Sequence, residues 1–418
     1  MTARHRPRRR SPAMLRWRWA LIATVAAFAA VAVFGNPALA RSKRAPAVVP
    51  VPQGFVGVDV DGPLDTPNTT PNTLDFGNQV QSMVANGVES IRVAFNWAFA
   101  QPYASFSQVP VADRDEFSTN IDGRPTDFSA TDEIVGAAAS RHVTVLPTIL
   151  YAPPWDAKNN PNGIDTPARA APYAQYAAAL VARYGPRGSF WRQNPTIPKL
   201  PIRMWQIWNE PDLSYYWQQP FAKSYVSLLR RAHSAIKHAD PGAQVVLASL
   251  TNLAWVSLGQ IYKIGGASKL FDIAAVNGFT KTPADVILYM QLMRNAMDHF
   301  KAGHKPLIAT ELSWPSAQGK TPQHYDFNTT EAGQARNIAT LLPLIGKDRV
   351  ELGLAAFYYY TWIGAETPGA PAFSFAGLLR DQNGQVTAKP ALVAYRKGAL
   401  ALEHCKRKGS VATSCVKG

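Results

Sequence analysis

Two glutamates carry the first chemical signal in this 418-residue chain. Glu210 follows the run Arg203-Met204-Trp205-Gln206-Ile207-Trp208 in the sequence Asn209-Glu210-Pro211. Glu311 follows Pro306-Leu307-Ile308-Ala309-Thr310 and precedes Leu312-Ser313-Trp314-Pro315. A carboxylate at the end of a largely apolar strand is costly unless it is paired or solvated in a cleft. Two such groups facing one another can divide the work of a general acid and a nucleophile or base, the chemistry used on glycosidic bonds. Double displacement needs them ~5–5.5 Å apart and inversion ~6.5–9.5 Å. Strict strand alternation predicts Leu307, Ala309 and Glu311 on one face of the later run, and Gln206, Trp208 and Glu210 on one face of the earlier run.

Rival chemistries lack their residues. No Gly-x-Ser-x-Gly elbow occurs, which argues against a serine hydrolase. The only cysteines, Cys405 and Cys415, have too few partners for a metal site and lie in a basic tail, where they could close a small disulfide loop. The chemistry of paired carboxylates requires no cofactor and no metal.

The elements that must position the glutamates alternate in type. Short apolar runs at Phe55–Val60, Ser90–Phe95, Val143–Leu150, Ile202–Trp208, Gln244–Ser249, Ile273–Phe279, Pro306–Thr310 and Leu354–Tyr360 read as strands. Helical patterns lie between them. Thr282 can cap one helix, with Pro283 in its first position and Asp285 in its first turn. Thr166-Pro167 opens a second, which ends near Tyr184-Gly185, and a third runs from Phe221 to Ala239. Eight strands with helical crossovers predict an α/β fold, a (β/α)8 TIM barrel forming a single catalytic domain. The doubly wound open sheet is disfavoured, because no Gly-x-Gly-x-x-Gly and no Walker motif is present. On a barrel, the long stretches 96–131 and 151–167 fall at the C-terminal mouth, and the strand-four and strand-seven glutamates meet across it.

With Ile207-Trp208-Asn209-Glu210-Pro211 in this strand context, the chain resembles the clan A glycoside hydrolases, most of all family 39 and its relatives, with family 5 next. The resemblance spans about residues 54–400. It implies a retaining mechanism with Glu210 as acid/base and Glu311 as nucleophile. It also implies that Arg92 supports the nucleophile, that Asn209 bonds the sugar 2-hydroxyl, and that Trp362 floors the sugar subsite. The segment Val276-Asn277-Gly278-Phe279-Thr280 departs from the His-Pro-Tyr-like pattern of many members, and Phe279 has no hydroxyl to donate. Asn277, Thr280 or Tyr358 to Tyr360 are the candidates to replace that contact with the nucleophile. The chain is rich in aromatics, with 11 Trp, 15 Tyr and 18 Phe. Trp97, Tyr103, Trp155, Tyr215, Tyr216, Trp217 and Trp314 follow expected strands, and Trp155 and Trp314 are the leading candidates to stack on sugar rings. The reading is therefore a retaining glycosidase acting on O-glycosidic bonds of a polysaccharide or oligosaccharide. A non-catalytic carbohydrate-binding protein on the same barrel and a transglycosylase are the alternatives.

The net charge of +15 is concentrated at the start of the chain. Residues 1–44 hold ten basic residues and no acid, and the remaining 374 residues carry only +5. The basicity thus gives no reason to expect nucleic acid as a partner. An Arg-rich stretch, the 15-residue apolar run Ala20–Phe34 and Ala38-Leu39-Ala40 form the three parts of a secretory signal peptide. Cleavage is expected after Ala40, giving a secreted protein. An uncleaved leader would instead tether it to the membrane or cell envelope. The resulting organisation is a leader at 1–40, a Pro-rich linker at 41–53, the barrel at 54–403 and a basic tail at 404–418.

Overall fold

Strands that are apolar on both faces need cover on both faces, and helical crossovers supply it. The computed structural model of the protein describes residues 51–64 and 74–416. Its central strands are β1 (Val56–Val60), β2 (Ser90–Asn96), β3 (Thr144–Leu150), β4 (Met204–Ile207), β5 (Gln244–Val246), β6 (Ala274–Asn277), β7 (Leu307–Leu312) and β8 (Leu354–Tyr359). They pair in parallel in the order β6-β7-β8-β1-β2-β3-β4-β5. Isolated bridges from Val246 to Ile273 and from Leu250 to Val276 join β5 to β6 and close the sheet. One long helix follows each strand: α1 (Phe76–Ala85), α2 (Ser129–Ala139), α3 (Ala170–Tyr184), α4 (Ala222–Ala239), α5 (Ala254–Tyr262), α6 (Pro283–His299), α7 (Glu331–Leu352) and α8 (Pro390–Leu402). The protein is a (β/α)8 barrel, and every strand lies within a few residues of its sequence-derived position. The leader at 1–40 and most of the linker at 41–53 fall outside the described residues.

The barrel has two cores. A large one lies between strands and helices. A smaller one fills the barrel interior with Leu146, Val246, Ile273, Ala275, Ile308, Ala356 and Tyr358. Gly57 exists to admit that filling, since a Cβ there would lie 2.6 Å from both the Tyr358 ring and Ser90 Oγ. Above this apolar layer the interior turns polar, toward the C-terminal ends of the strands.

Local signals act as read in α6, where Thr282 Oγ1 accepts from Asp285 N and Pro283 opens the helix. They mislead at Thr166-Pro167, which does not open α3. Those residues pair with Ala157-Lys158 in a two-residue ladder, and α3 begins only at Ala170. Buried Asp156 sets that delay by accepting from Arg169 Nε at 2.5 Å and from Arg169 N at 3.3 Å.

The basic tail is part of the fold. Cys405 and Cys415 are bridged, with Cα atoms 5.1 Å apart. The loop they close carries buried Lys408, whose Nζ donates to Glu89 Oε1 at 2.6 Å beside the start of β2. Glu403 Oε2 lies 2.6 Å from the same Nζ as an ion pair without hydrogen-bond alignment. The loop therefore covers the barrel end opposite the glutamates. Replacing both cysteines by serine should lower unfolding stability by about 3 kcal/mol, the loop-closure entropy of a ten-residue separation. A urea titration checks this, and unchanged stability would mean that the contacts of Lys408 with Glu89 and Glu403 hold the loop without the bridge.

Candidate active site

Both glutamates reach the barrel mouth, and neither does so by strand alternation. Along β7 the interior residues are Ile308 and Thr310, while Leu307 and Ala309 pack toward the helices. The expectation that Leu307, Ala309 and Glu311 share a face is thus corrected. A register shift between Ala309 and Leu312 inserts a bulge, and a bulge re-aims the side chain it carries. Glu311 is turned inward as a result. At the end of β4, Gln206 points inward, but Trp208 does not follow it. Trp208 has φ +70° and packs against Tyr173 of α3 and against Trp217, with Nε1 donating to Tyr216 O at 2.9 Å. Glu210 has φ +40°. These two left-handed residues let consecutive Asn209 and Glu210 both enter the mouth. Strained backbone of this kind collects at functional sites.

Arg92 on β2 is the centre of the polar layer. Its Nη1 donates to Glu311 Oε1 at 2.8 Å and closely to Asp59 Oδ2 on β1. Its Nη2 donates to Asn209 Oδ1 at 2.8 Å, and Nε donates to Gln206 Oε1 at 2.7 Å. From Gln206 the network continues through Ser249 (Nε2 to Oγ, 3.0 Å) and Thr310 (Oγ to Oγ1, 2.8 Å) to Asn277 Oδ1 at 2.8 Å. Asn277 Nδ2 then donates to Glu210 Oε1 at 2.7 Å. One chain of bonds thus ties Glu311 to Glu210 across five strands.

Burial raises both carboxyl groups, Glu210 to about 7 and Glu311 to about 8; the neighbouring Asp212 carboxylate adds to the rise of Glu210, and Glu210 adds to that of Glu311. Two coupled carboxyls of this kind hold one proton between them near neutral pH. Taken singly, those values would leave that proton on Glu311. The bonding partners place it on Glu210, because Glu311 accepts from a guanidinium while Glu210 accepts only from a neutral amide. Asp59 is also raised, by burial first, with Arg92 opposing it.

No family model and no curated protein matches the chain. Solved structures do. A monomeric β-xylosidase from Caulobacter crescentus CB15 superposes with a TM-score of 0.58 at 18% identity, over 83% of this chain and 68% of that one. A family 39 glycoside hydrolase from the gut symbiont Bacteroides cellulosilyticus WH2 gives 0.57 at 17% identity, over 84% of this chain and 64% of that one. A family 51 α-L-arabinofuranosidase from Bifidobacterium longum gives 0.56 at 12% identity, over 85% and 75%. This chain has the barrel fold of those enzymes. It spans less than two thirds of the length of the family 39 enzyme.

Within that barrel the aromatic expectations are mostly corrected. Trp362 is fully buried and points away from the mouth, with Nε1 donating to Gln79 on α1 at 3.0 Å. Thr361 turns the chain there by donating to Asp59 O at 2.8 Å, so the inward position just past β8 belongs to Tyr360. Trp314 is 1% exposed and braces the β6–α6 connection by donating to Thr280 O at 2.7 Å. Trp155 is half-buried, but Arg124 covers its ring at 4.4 Å, Trp97 abuts it, and Nε1 is held by Gln101 O. Trp314 offers no open face to a sugar, and Arg124 occupies a face of Trp155. Asn277 donates to Glu210 and not to Glu311, so it does not supply the expected contact with the nucleophile position.

Two mouth residues, Asp59 and Asp61, have no counterpart among the sequence expectations. Asp59 and Asp61 alternate at the end of β1, in Val58-Asp59-Val60-Asp61, and charges at alternate places in a buried strand were a legible signal. Tyr360 and Tyr216 also reach the carboxylates. Tyr360 donates closely to Asp61 Oδ2, and Tyr216 lies in the field of both Glu210 and Glu311. Both are among the tyrosines expected near the mouth.

Proposed function

We propose that this chain is a retaining glycosidase that hydrolyses O-glycosidic bonds of an oligosaccharide or polysaccharide. The observation that carries the reading is the delivery of Glu210 and Glu311 to one buried network, one against a guanidinium and the other against an amide. Ionised Glu311 attacks the anomeric carbon while protonated Glu210 gives its proton to the leaving oxygen. Once Glu311 is esterified its charge is gone, Glu210 loses the repulsion that favours its neutral form, and it deprotonates the incoming water. Water oxygen bonds the anomeric carbon, the ester bond to Glu311 breaks, and both carboxyls return to their first state. Arg92 holds Asn209 by its oxygen, which turns the amide nitrogen to the sugar 2-hydroxyl. Tyr360 takes the place in the subsite expected of Trp362.

The structural neighbours include a β-xylosidase and an α-L-arabinofuranosidase, which puts pentosides first among probes. The Arg-rich leader with its Ala-x-Ala end supports export, with cleavage after Ala40. Treating the protein with activated 2-deoxy-2-fluoro glycosides of xylose, arabinose, glucose, mannose and galactose, then mapping the adduct by mass spectrometry, tests the mechanism. A covalent sugar on the Glu311 peptide is the expected result. An adduct on another carboxylate, or turnover with inverted configuration, rejects it.

The proton on Glu210 sets the pH profile. A general acid must be protonated, so kcat/KM should fall as pH rises through about 7. In Glu210→Gln the alkaline limb should vanish, and substrates with poor leaving groups should slow by about 10²–10⁴-fold. Activated aryl glycosides, whose leaving groups need no proton, should slow far less in their glycosylation step. An unchanged alkaline limb in that variant would remove Glu210 from the acid role.

A further inference from the structure

Asp61 is a further carboxylate at the mouth and has no place in the mechanism above. It stands one residue beyond β1, on the same side of the strand as Asp59, and it is half-exposed. Its orientation is fixed from several directions. Tyr360 Oη donates closely to Oδ2, Gly62 N donates to Oδ1 at 2.7 Å, and its own backbone N–H donates to Thr361 Oγ1 at 3.1 Å. Tyr360 is itself wedged edge-on between Phe279 and Phe373, with centroids 5.9 and 5.8 Å away. Among the described residues, the hydrogen bonds to this carboxylate come from neutral groups. The guanidinium of Arg92 is already shared among Asp59, Glu311, Asn209 and Gln206. Asp61 nevertheless lies within electrostatic reach of Glu311 and of the hydroxyls of Tyr215, Tyr216 and Tyr360.

A rigid, half-exposed carboxylate beside the proposed nucleophile, bonded only by neutral donors, keeps lone pairs for a ligand's hydroxyl groups. Its negative charge, set near Glu311 and Asp59 with Arg92 already shared, opposes an anionic ligand. Building on the glycosidase reading, we propose that Asp61, held by Tyr360, is a specificity-determining residue. It accepts a hydrogen bond from a hydroxyl other than the 2-hydroxyl on the sugar seated over Glu311, and it restricts that seat to sugars without a carboxylate. Phe279 has a role in this arrangement, since its ring supports Tyr360 where a hydroxylated residue was expected.

The test compares kcat/KM for the glycoside that the wild-type protein accepts, for its monodeoxy analogues at each position other than C2, and for the matching uronide. In the wild type, one analogue should lose about 10- to 100-fold, the worth of a hydrogen bond to a charged acceptor. In Asp61→Asn the parent glycoside should slow by a comparable factor, and that one deoxy penalty should largely disappear. Tyr360→Phe, which loses only a hydroxyl, should shrink the same penalty and guards against misfolding of the first variant. The wild type should leave the uronide essentially untouched. Deoxy penalties that persist in full in both variants overturn the assignment, as does wild-type turnover of the uronide at the rate of its neutral parent. Failure of the wild type on every glycoside is a separate outcome, which overturns the glycosidase reading and with it the role of Asp61.

Discussion

Glu311→Ala is expected to abolish turnover, with a loss on the order of 10⁴-fold or more, as for removal of other catalytic nucleophiles. No adduct with a 2-deoxy-2-fluoro glycoside should form. The size of the effect follows from the division of labour. Without the carboxylate no bond to the anomeric carbon can form, and Glu210 alone can only protonate the leaving oxygen. Folding should survive, because the change removes one of two carboxylates competing for Arg92 Nη1, and Asp59 remains to pair with it. Sugar binding should also survive, since Asn209, Asp61 and Tyr360 are untouched. Small nucleophiles such as azide or formate, which fit the vacated space, should restore part of the rate and give a product of inverted configuration. Wild-type rates in Glu311→Ala would remove this residue from the reaction altogether.

Arg92→Met is expected to cost about 3–5 kcal/mol of unfolding stability, the range found when one member of a buried ion pair is deleted. Arg92, Asp59 and Glu311 are all nearly inaccessible, so the variant leaves two buried carboxyls with no cation between them. The effect should depend on pH, and its sign can be worked out. Glu311 and Asp59 already titrate above their usual values in the folded protein. A folded state that raises a carboxyl's pKa binds its proton more tightly than the unfolded chain. The associated stability is present below the unfolded pKa and is lost as pH rises through the folded one. Removing Arg92 raises both groups further. The deficit of the variant should therefore be larger near pH 8 than near pH 5, read as the difference between urea midpoints at the two pH values. Asp59→Asn in the same background should recover part of it. A deficit equal at both pH values would mean that Arg92 contributes packing and hydrogen bonds rather than charge.

The sequence by itself determined the barrel and the identity of the two glutamates. Eight apolar runs with helical spacers have few ways to cover both faces of each strand, so period and punctuation sufficed. Glu210 and Glu311 were legible because a carboxylate at the end of an apolar run is improbable unless the fold gives it partners. Arg92 came from the family resemblance alone. Asp59 and Asp61 carried an equivalent signal that two stronger motifs overshadowed.

Tertiary structure alone decided how those side chains are aimed. Alternation put Glu311 with Leu307 and Ala309, yet a bulge in β7 turns it to the opposite face. Alternation put Glu210 with Trp208, yet left-handed backbone at both residues sends the tryptophan outward and the carboxylate inward. Both departures depend on register against neighbouring strands, which no local pattern encodes. The aromatics fared worst for a related reason. Trp314 and Trp362 bury indoles whose N–H groups are satisfied by Thr280 O and Gln79, and a buried indole needs such a partner. The partners lie 34 and 283 residues away, so a ring that braces a loop and a ring that receives a sugar look alike until the chain has folded.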